Sequence, residues 1–221
     1  FLSARDGYRL WASTYDAETA VSLLDERVVA ELDVSTSGRR LLDVGCGTGR
    51  RLRLAEARVA VGVDLSVEML RRGRAANARA AGDVCALPIA DGAFDVAWCR
   101  LVLGHVRDLD AAYAEIGRVC RPGGDVVVTD FHPAAVAAGH RRTFRDAGGV
   151  SHQLEHHVHT PDDHVAAARA AGLVLRARRD GTINADVESL YAAAGRRQAY
   201  HDHLGLPLVL GLALRKAACG S

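Results

Sequence analysis

Lysine is nearly absent: Lys216 is the only one, and every other cation among the 28 basic residues is arginine. Against 27 acidic residues this leaves a formal net charge of +1. A chain so balanced offers no basic surface for a nucleic acid and no cationic face for a membrane. The arginine comes with heavy use of Ala and Gly, the mark of codon bias in a GC-rich genome. Pairs such as Arg71-Arg72, Arg141-Arg142 and Arg196-Arg197 are therefore read as solvated faces rather than binding signals. The five cysteines, at 46, 85, 99, 120 and 219, are odd in number and have no close pair, which speaks against a disulfide framework and a zinc site. A reduced, cytoplasmic protein is expected. Long apolar runs are missing too. The longest, "LGLPLVLGLAL" at 204–214, is interrupted by Pro and Gly and is too short to span a bilayer. No signal peptide is visible, and the chain starts at Phe1 rather than Met.

What is there is enough apolar residue, 49% of 221, to bury one substantial core, so a single domain with an insertion is expected. Residues 9–32 read as one helix with Leu23, Leu24, Val28 and Leu32 along a stripe. "RRLLDVG" is the first convincing strand, "RRLRLAEA" reads as helix and "VAVGVDLS" as a second strand ending at Asp64. "SVEMLRRGRAANAR" is a Ser-capped helix, followed by a short strand near Val84 and a strong one at Phe94 to Cys99. "DLDAAYAEIGRVC" is helix and "DVVVTDF" a fifth strand. Beyond these, residues 141–159 form a hairpin around "DAGG", Thr160-Pro161 starts another helix, and "LVLRARR" and "LPLVLGLALRK" are strands. Strands and helices alternating at this spacing predict an α/β fold with a doubly wound, mostly parallel sheet.

In such sheets ligands collect outside the carboxyl ends of the strands. "LLDVGCGTGR" at 41–50 places Gly45, Gly47 and Gly49 there, where the missing Cβ permits close approach of a ligand. A dinucleotide fingerprint, G-x-G-x-x-G, would need a glycine where Arg50 stands, so the diphosphate of NAD is disfavoured. Asp64, ending the second strand, is placed to accept from both hydroxyls of a ribose. Asp83 is placed to accept from an adenine amino group, with the Val84 backbone N–H beside it. Ribose and adenine contacts without a diphosphate fit S-adenosylmethionine (SAM).

"LLDVGCGTGR", "VGVDLSVEML", "GDVCALPIADGAFDVAWC" and "LVLGHVRDLDAAYAEIGRVCRPGGDVVVTD" resemble, in order and spacing, the class I SAM-dependent methyltransferases, in their small-molecule (methyltransferase type 11-like) branch. The resemblance runs from about residue 39 to 130. It implies a Rossmann-like seven-stranded sheet whose last strand is antiparallel. It further implies that Asp43 and the loop of Gly45, Gly47 and Gly49 hold the methionine portion, Asp64 the ribose, and Asp83 with Val84 the adenine. Leu65 and Met69 would line the adenine pocket, the backbone near Cys99 would face the amino group, and Trp11 or Tyr15 would close over the cofactor. The implied organisation is a single methyltransferase domain over 1–221. It comprises an N-terminal helical cap (1–38), a SAM-binding half (39–130), an inserted substrate cap (131–160) and a C-terminal helix and strands (161–221).

The acceptor side carries the histidines, seven of ten lying between 132 and 164. His132, His157 and His105 are the candidate bases or substrate contacts, because imidazole titrates near neutral pH. Strand alternation would put Glu155, His157 and His159 on one face, opposite Val150, Leu154 and Val158 with His152 and His156. Two rival readings of the cluster stay open: a metal on His157 and His159 with Glu155 or Asp130, and a structural role. Arg100 would meet a substrate carboxylate or phosphate, or else an ion-pair partner. The expected activity is methyl transfer from SAM to an oxygen or nitrogen of a small molecule, leaving S-adenosylhomocysteine (SAH), by a monomer or homodimer. An NAD-dependent oxidoreductase and a non-catalytic SAM-binding module are the alternatives.

Overall fold

The computed structural model describes residues 1–73 and 78–218. In chain order the strands are β1 (Arg40–Val44), β2 (Val59–Asp64), β3 (Ala78–Ala81), β4 (Phe94–Arg100), β5 (Cys120–Phe131), β6 (Thr143–Arg145), β7 (Ser151–Gln153), β8 (Leu173–Thr182) and β9 (Pro207–Lys216). The helices are α1 (Ala4–Trp11), α2 (Ala20–Glu31), α3 (Val67–Arg72), α4 (Leu109–Val119), α5 (Pro133–Ala137), α6 (Pro161–Ala170), α7 (Glu188–Ala193) and α8 (Arg197–Asp202).

Seven strands form one sheet in the order β3-β2-β1-β4-β5-β9-β8. The pairs from β3 to β5 are parallel, and β9 runs antiparallel to both β5 and β8. The strand order reverses between β1 and β4, which puts the carboxyl ends of β1, β2 and β4 around one crevice. Alternate residues of each central strand serve opposite layers. Leu42, Val126 and Val128 pack with α4 and α6 through Tyr113, Ile116 and Ala167, whereas Leu41 and Val127 pack on the other face with Leu24 and Val28 of α2 and with Leu32, its C-cap. Helix α2 is thus a layer of the core and not part of a cap. No helix among the described residues is long and apolar enough to cross a membrane.

Several elements differ from the sequence expectation. The single helix over 9–32 is two helices, because Thr19 starts a new one: its Oγ1 accepts from Ser22 N (3.1 Å) and Ser22 Oγ accepts from Thr19 N (2.8 Å). Ser and Thr side chains in "ASTYDAET" compete for backbone groups and break the run. "RRLRLAEA" forms turns, not a helix, with Leu52 buried and Leu54 exposed. The strand near Val84 is replaced by β3, whose Ala-rich sequence carries little strand signal, and by an Asp83–Ala86 bridge. The helix expected over 66–79 ends at Arg72; its stretch 74–77 lies outside the described residues, as does Cys219. α7 and α8 were not anticipated. The hairpin exists as β6–β7 but each strand is three residues long. The alternation expected through residue 159 fails there: Leu154 is buried while Val150 and Val158 are exposed. Beyond β7 the chain is instead tied to the turn after β4, through His157 N to Gly104 O (2.7 Å) and His159 Nε2 to Val106 O (2.8 Å).

Candidate active site

β1 passes into the glycine loop at Val44, and the loop folds over the end of β2, with Gly45 N and Cys46 N both donating to Val63 O (2.7 and 3.1 Å). Gly45 sits at φ +72°, and a Cβ there would fall 2.2 Å from Val102 Cγ2, so only glycine fits. Gly47 N donates to Asp64 Oδ2 (2.7 Å) and Ser66 N to Asp64 Oδ1 (2.8 Å). One carboxylate therefore fastens the glycine loop to the start of α3. Gly49 closes the turn, its N donating to Cys46 O (2.9 Å), and does not reach the crevice.

The crevice is a cavity of about 320 Å³. Gly45, Gly47, Asp64 and Leu65 form its floor, with Met69 and Tyr15 against the loop. Asp83 and Val84 form the wall beyond β3. Asp83 Oδ1 accepts from Cys85 N (2.9 Å), which fixes this turn. Cys99 does not line the cavity; it is fully buried in the core, and the lining resumes at Arg100 and Leu101. Leu101 has φ +60°, a strained conformation for a branched side chain, held by its N–H on Thr129 O (2.8 Å). Asp43 lies beneath the loop, fully buried, and neither carboxylate oxygen has a hydrogen-bond partner among the described residues. Burial raises its pKa to about 6, with Arg51 and Arg100 opposing and Asp64 and Asp25 reinforcing the rise.

A "Methyltransferase domain" family model matches residues 42–128 of this chain. The malonyl-[acyl-carrier protein] O-methyltransferase of Pseudescherichia vulneris is 36% identical over 140 residues, which is 59% of this chain and 54% of that protein. The 27-O-demethylrifamycin SV methyltransferase of Amycolatopsis mediterranei is 31% identical over 182 residues, covering 74% of this chain and 64% of that one. In fold, an S-adenosylmethionine dependent methyltransferase from Mesorhizobium loti superposes with a TM-score of 0.67 at 22% identity, over 87% of this chain and 97% of that one. Residues 42–128 thus carry the pattern of a methyltransferase domain, on a sheet shared with that SAM-dependent methyltransferase. The chain spans from about a third to just under two thirds of the length of the curated relatives it matches.

Of the three candidate bases, the structure brings only His105 to the cavity. Its Nδ1 lies 3.0 Å from the Glu155 carbonyl, which can only accept, so Nδ1 carries the proton. Nε2 is then the acceptor for Tyr8 Oη at 3.0 Å. Burial, together with Arg142, lowers the His105 pKa to about 3, and burial raises that of Tyr8 to about 12 against the pull of Arg142. His132 is not a base at the site. It caps α5, its Nδ1 accepting from Ala134 N (3.1 Å), and its Nε2 faces Arg178 and Asp180 of β8 at 3.5 and 3.9 Å. His157 also lies off the cavity, 3.9 Å from Glu155 and tied by its backbone to Gly104. Among the described residues no three His, Cys, Asp or Glu side chains gather as a metal site. Arg100 borders the crevice, but its buried guanidinium is taken up by Asp25 (2.7 Å) and Glu26 (2.9 Å).

Tyr8 was missed by sequence reasoning. Tyr8, Trp11 and Tyr15 follow a helical i, i+3, i+7 spacing, which was the available signal. Tyr8 and Tyr15 line the cavity, whereas Trp11 stacks on Phe144 (4.9 Å, 12°) and pins α1 to the hairpin.

Proposed function

We propose that this chain transfers a methyl group from SAM to an oxygen or nitrogen of a small-molecule acceptor. The observation that carries the reading is Asp64: one carboxylate, on the cavity floor, locks the glycine loop while facing the space where a ribose would sit. The residues present fit the cofactor. Asp64 would take the ribose hydroxyls, Asp83 and the Val84 N–H the adenine, and Gly45 and Gly47 leave room for the methionine portion over the orphaned carboxylate of Asp43. Tyr15, against Gly47, would close the cofactor from above. When bound, SAM supplies an electrophilic methyl on a sulfonium, displaced in line by a nucleophile to leave SAH.

The chain's own part is alignment and exclusion of water. His105, with its pKa near 3 and its acceptor nitrogen occupied by Tyr8, remains neutral and pulls no proton from an acceptor near neutral pH. The site therefore suits nucleophiles that arrive ready to react, a carboxylate or a free amine, rather than a neutral alcohol. The names of the relatives with O-methyl transfer favour oxygen.

The test is turnover of methyl-labelled SAM against a panel of carboxylic acids, amines and alcohols. Labelled ester or amine is expected. For a carboxylic acid, already ionised, any fall in rate near pH 6 is expected to come from Asp43 and to survive His105→Gln, with no limb from an imidazole of ordinary pKa. Alcohols turned over with a base limb that His105→Gln removes would contradict the role given to His105.

A further inference from the structure

A second cavity, of about 150 Å³, lies between α5, the β6–β7 hairpin and the segment after it. Its polar lining is His140, Arg141, Arg142, Gln153 and His156, with no Asp or Glu among them. Two of these groups have work elsewhere: Arg141 donates to the carbonyls of Val136 and His140 at the end of α5, and His140 Nε2 pairs with His203 Nδ1 (3.0 Å). Burial lowers the pKa of His140 and His156 to about 4, so both imidazoles are neutral at pH 7.

Arg142 is different. It is half-buried, and among the described residues no carboxylate lies within ion-pair distance of it. Its Nη2 donates to Tyr8 Oη (3.3 Å) and lies 3.4 Å from His105 Nε2, both neutral groups, and its guanidinium stands 6.0 Å from the Phe131 ring. Asp130, the acid in this neighbourhood, is committed to Phe131 N (2.7 Å) and faces His164 at 3.4 Å. A guanidinium taken partly out of water without a counter-charge is costly, and its planar fork matches a carboxylate in a two-point contact.

We infer that the second cavity receives a carboxylate carried by the methyl acceptor, with Arg142 as the residue that binds it. The inference deepens the methyl-transfer reading and rests on it for the word acceptor. Arg142 lines the second cavity while touching Tyr8 and His105, which line the first, so an anion on it lies just across their side chains from the cofactor crevice. A cavity of this size admits a group as large as a benzene ring, enough for a carboxylate and a short apolar stem. The stem would meet Val136 and Val158, which line the same space.

The test is binding to the SAH-saturated chain, by calorimetry, of hexanoate, its neutral isostere hexanamide, and hexyl phosphate. Hexanoate is expected to bind at least about tenfold more tightly than hexanamide, with hexyl phosphate the weaker anion. Arg142→Gln removes that preference, and Gln153→Glu, which places an acid in the cavity without removing the guanidinium, narrows it. Equal binding of acid and amide, no binding of either, tighter binding of the phosphate, or a preference that survives Arg142→Gln would overturn the inference. SAH affinity of each variant reports that the fold is intact. If SAH itself fails to bind, the cofactor reading is what falls, and hexanoate against hexanamide on the unliganded chain still decides the carboxylate site.

Discussion

Asp64→Ala is expected to weaken SAH binding by about 100-fold, the loss of roughly 2–3 kcal/mol. Two effects combine. The carboxylate is the acceptor assigned to the ribose, and it also satisfies Gly47 N and Ser66 N, the two amides that set the glycine loop against α3. Removing it leaves the loop without its anchor just where the cofactor would be gripped. Hydrogen bonds to a charged acceptor are the strong ones, so the loss exceeds that of an ordinary surface change. Asp64→Asn separates the two effects: it keeps the shape, yet sets an amide NH2 against one of two backbone donors, and an intermediate loss follows. Affinity of Asp64→Ala within a factor of about two of the parent chain would remove Asp64 from the ribose site.

The second large effect belongs to stability. Asp25, fully buried on α2, accepts from Arg51 Nη2 (2.7 Å), Arg100 Nη2 (2.7 Å) and Thr129 Oγ1 (2.5 Å). Asp25→Ala strands two guanidiniums whose side chains are 7% and 2% exposed, leaving the half-exposed Glu26 as their remaining ion-pair partner among the described residues. A loss of about 3–5 kcal/mol is expected, and a melting temperature lower on the order of 10 °C. Burial alone would raise the Asp25 carboxyl, but Arg51 and Arg100 outweigh it and hold it below its ordinary 3.8. A folded pKa below the unfolded one stabilises at every pH above the unfolded value, and the gain fades as pH falls through the folded value. Urea unfolding as a function of pH is therefore expected to show stability falling below about pH 4 in the parent chain, and falling less in Asp25→Asn. A variant as stable as the parent would mean that the network contributes nothing net. Because Arg100 also lines the crevice, Asp25→Ala should loosen the cofactor site along with the fold.

The parts of this molecule that could be read from sequence are those fixed by local geometry. Gly45, Gly47, Asp64 and Asp83 sit at strand ends, and a parallel sheet brings strand ends together whatever the rest of the chain does. The Thr160 cap was legible for the same reason, being set by its own few residues, whereas the antiparallel last strand was implied only by the family resemblance. What was misread depends on partners distant in sequence. Arg51 leaves its expected helix to meet Asp25, and Arg100 meets the same acid 75 positions away, so neither pairing has a local signature. His132 has the residue type of a base, but it precedes Pro133 and Ala134 and serves as the cap of α5. The period-2 pattern around His157 held only while β7 lasted, and the carbonyls of Gly104 and Val106 dictated the rest. Arg142, half of a pair discounted as a solvated face, lies instead in the wall between two cavities.

A calorimetric titration of SAH into the chain, with NAD as the control ligand, decides which cofactor the crevice takes. Micromolar binding of SAH with one site per chain is expected, and no binding of NAD. NAD bound in preference to SAH, or SAH bound no better by this chain than by Asp64→Ala, would contradict the assignment of the crevice to SAM.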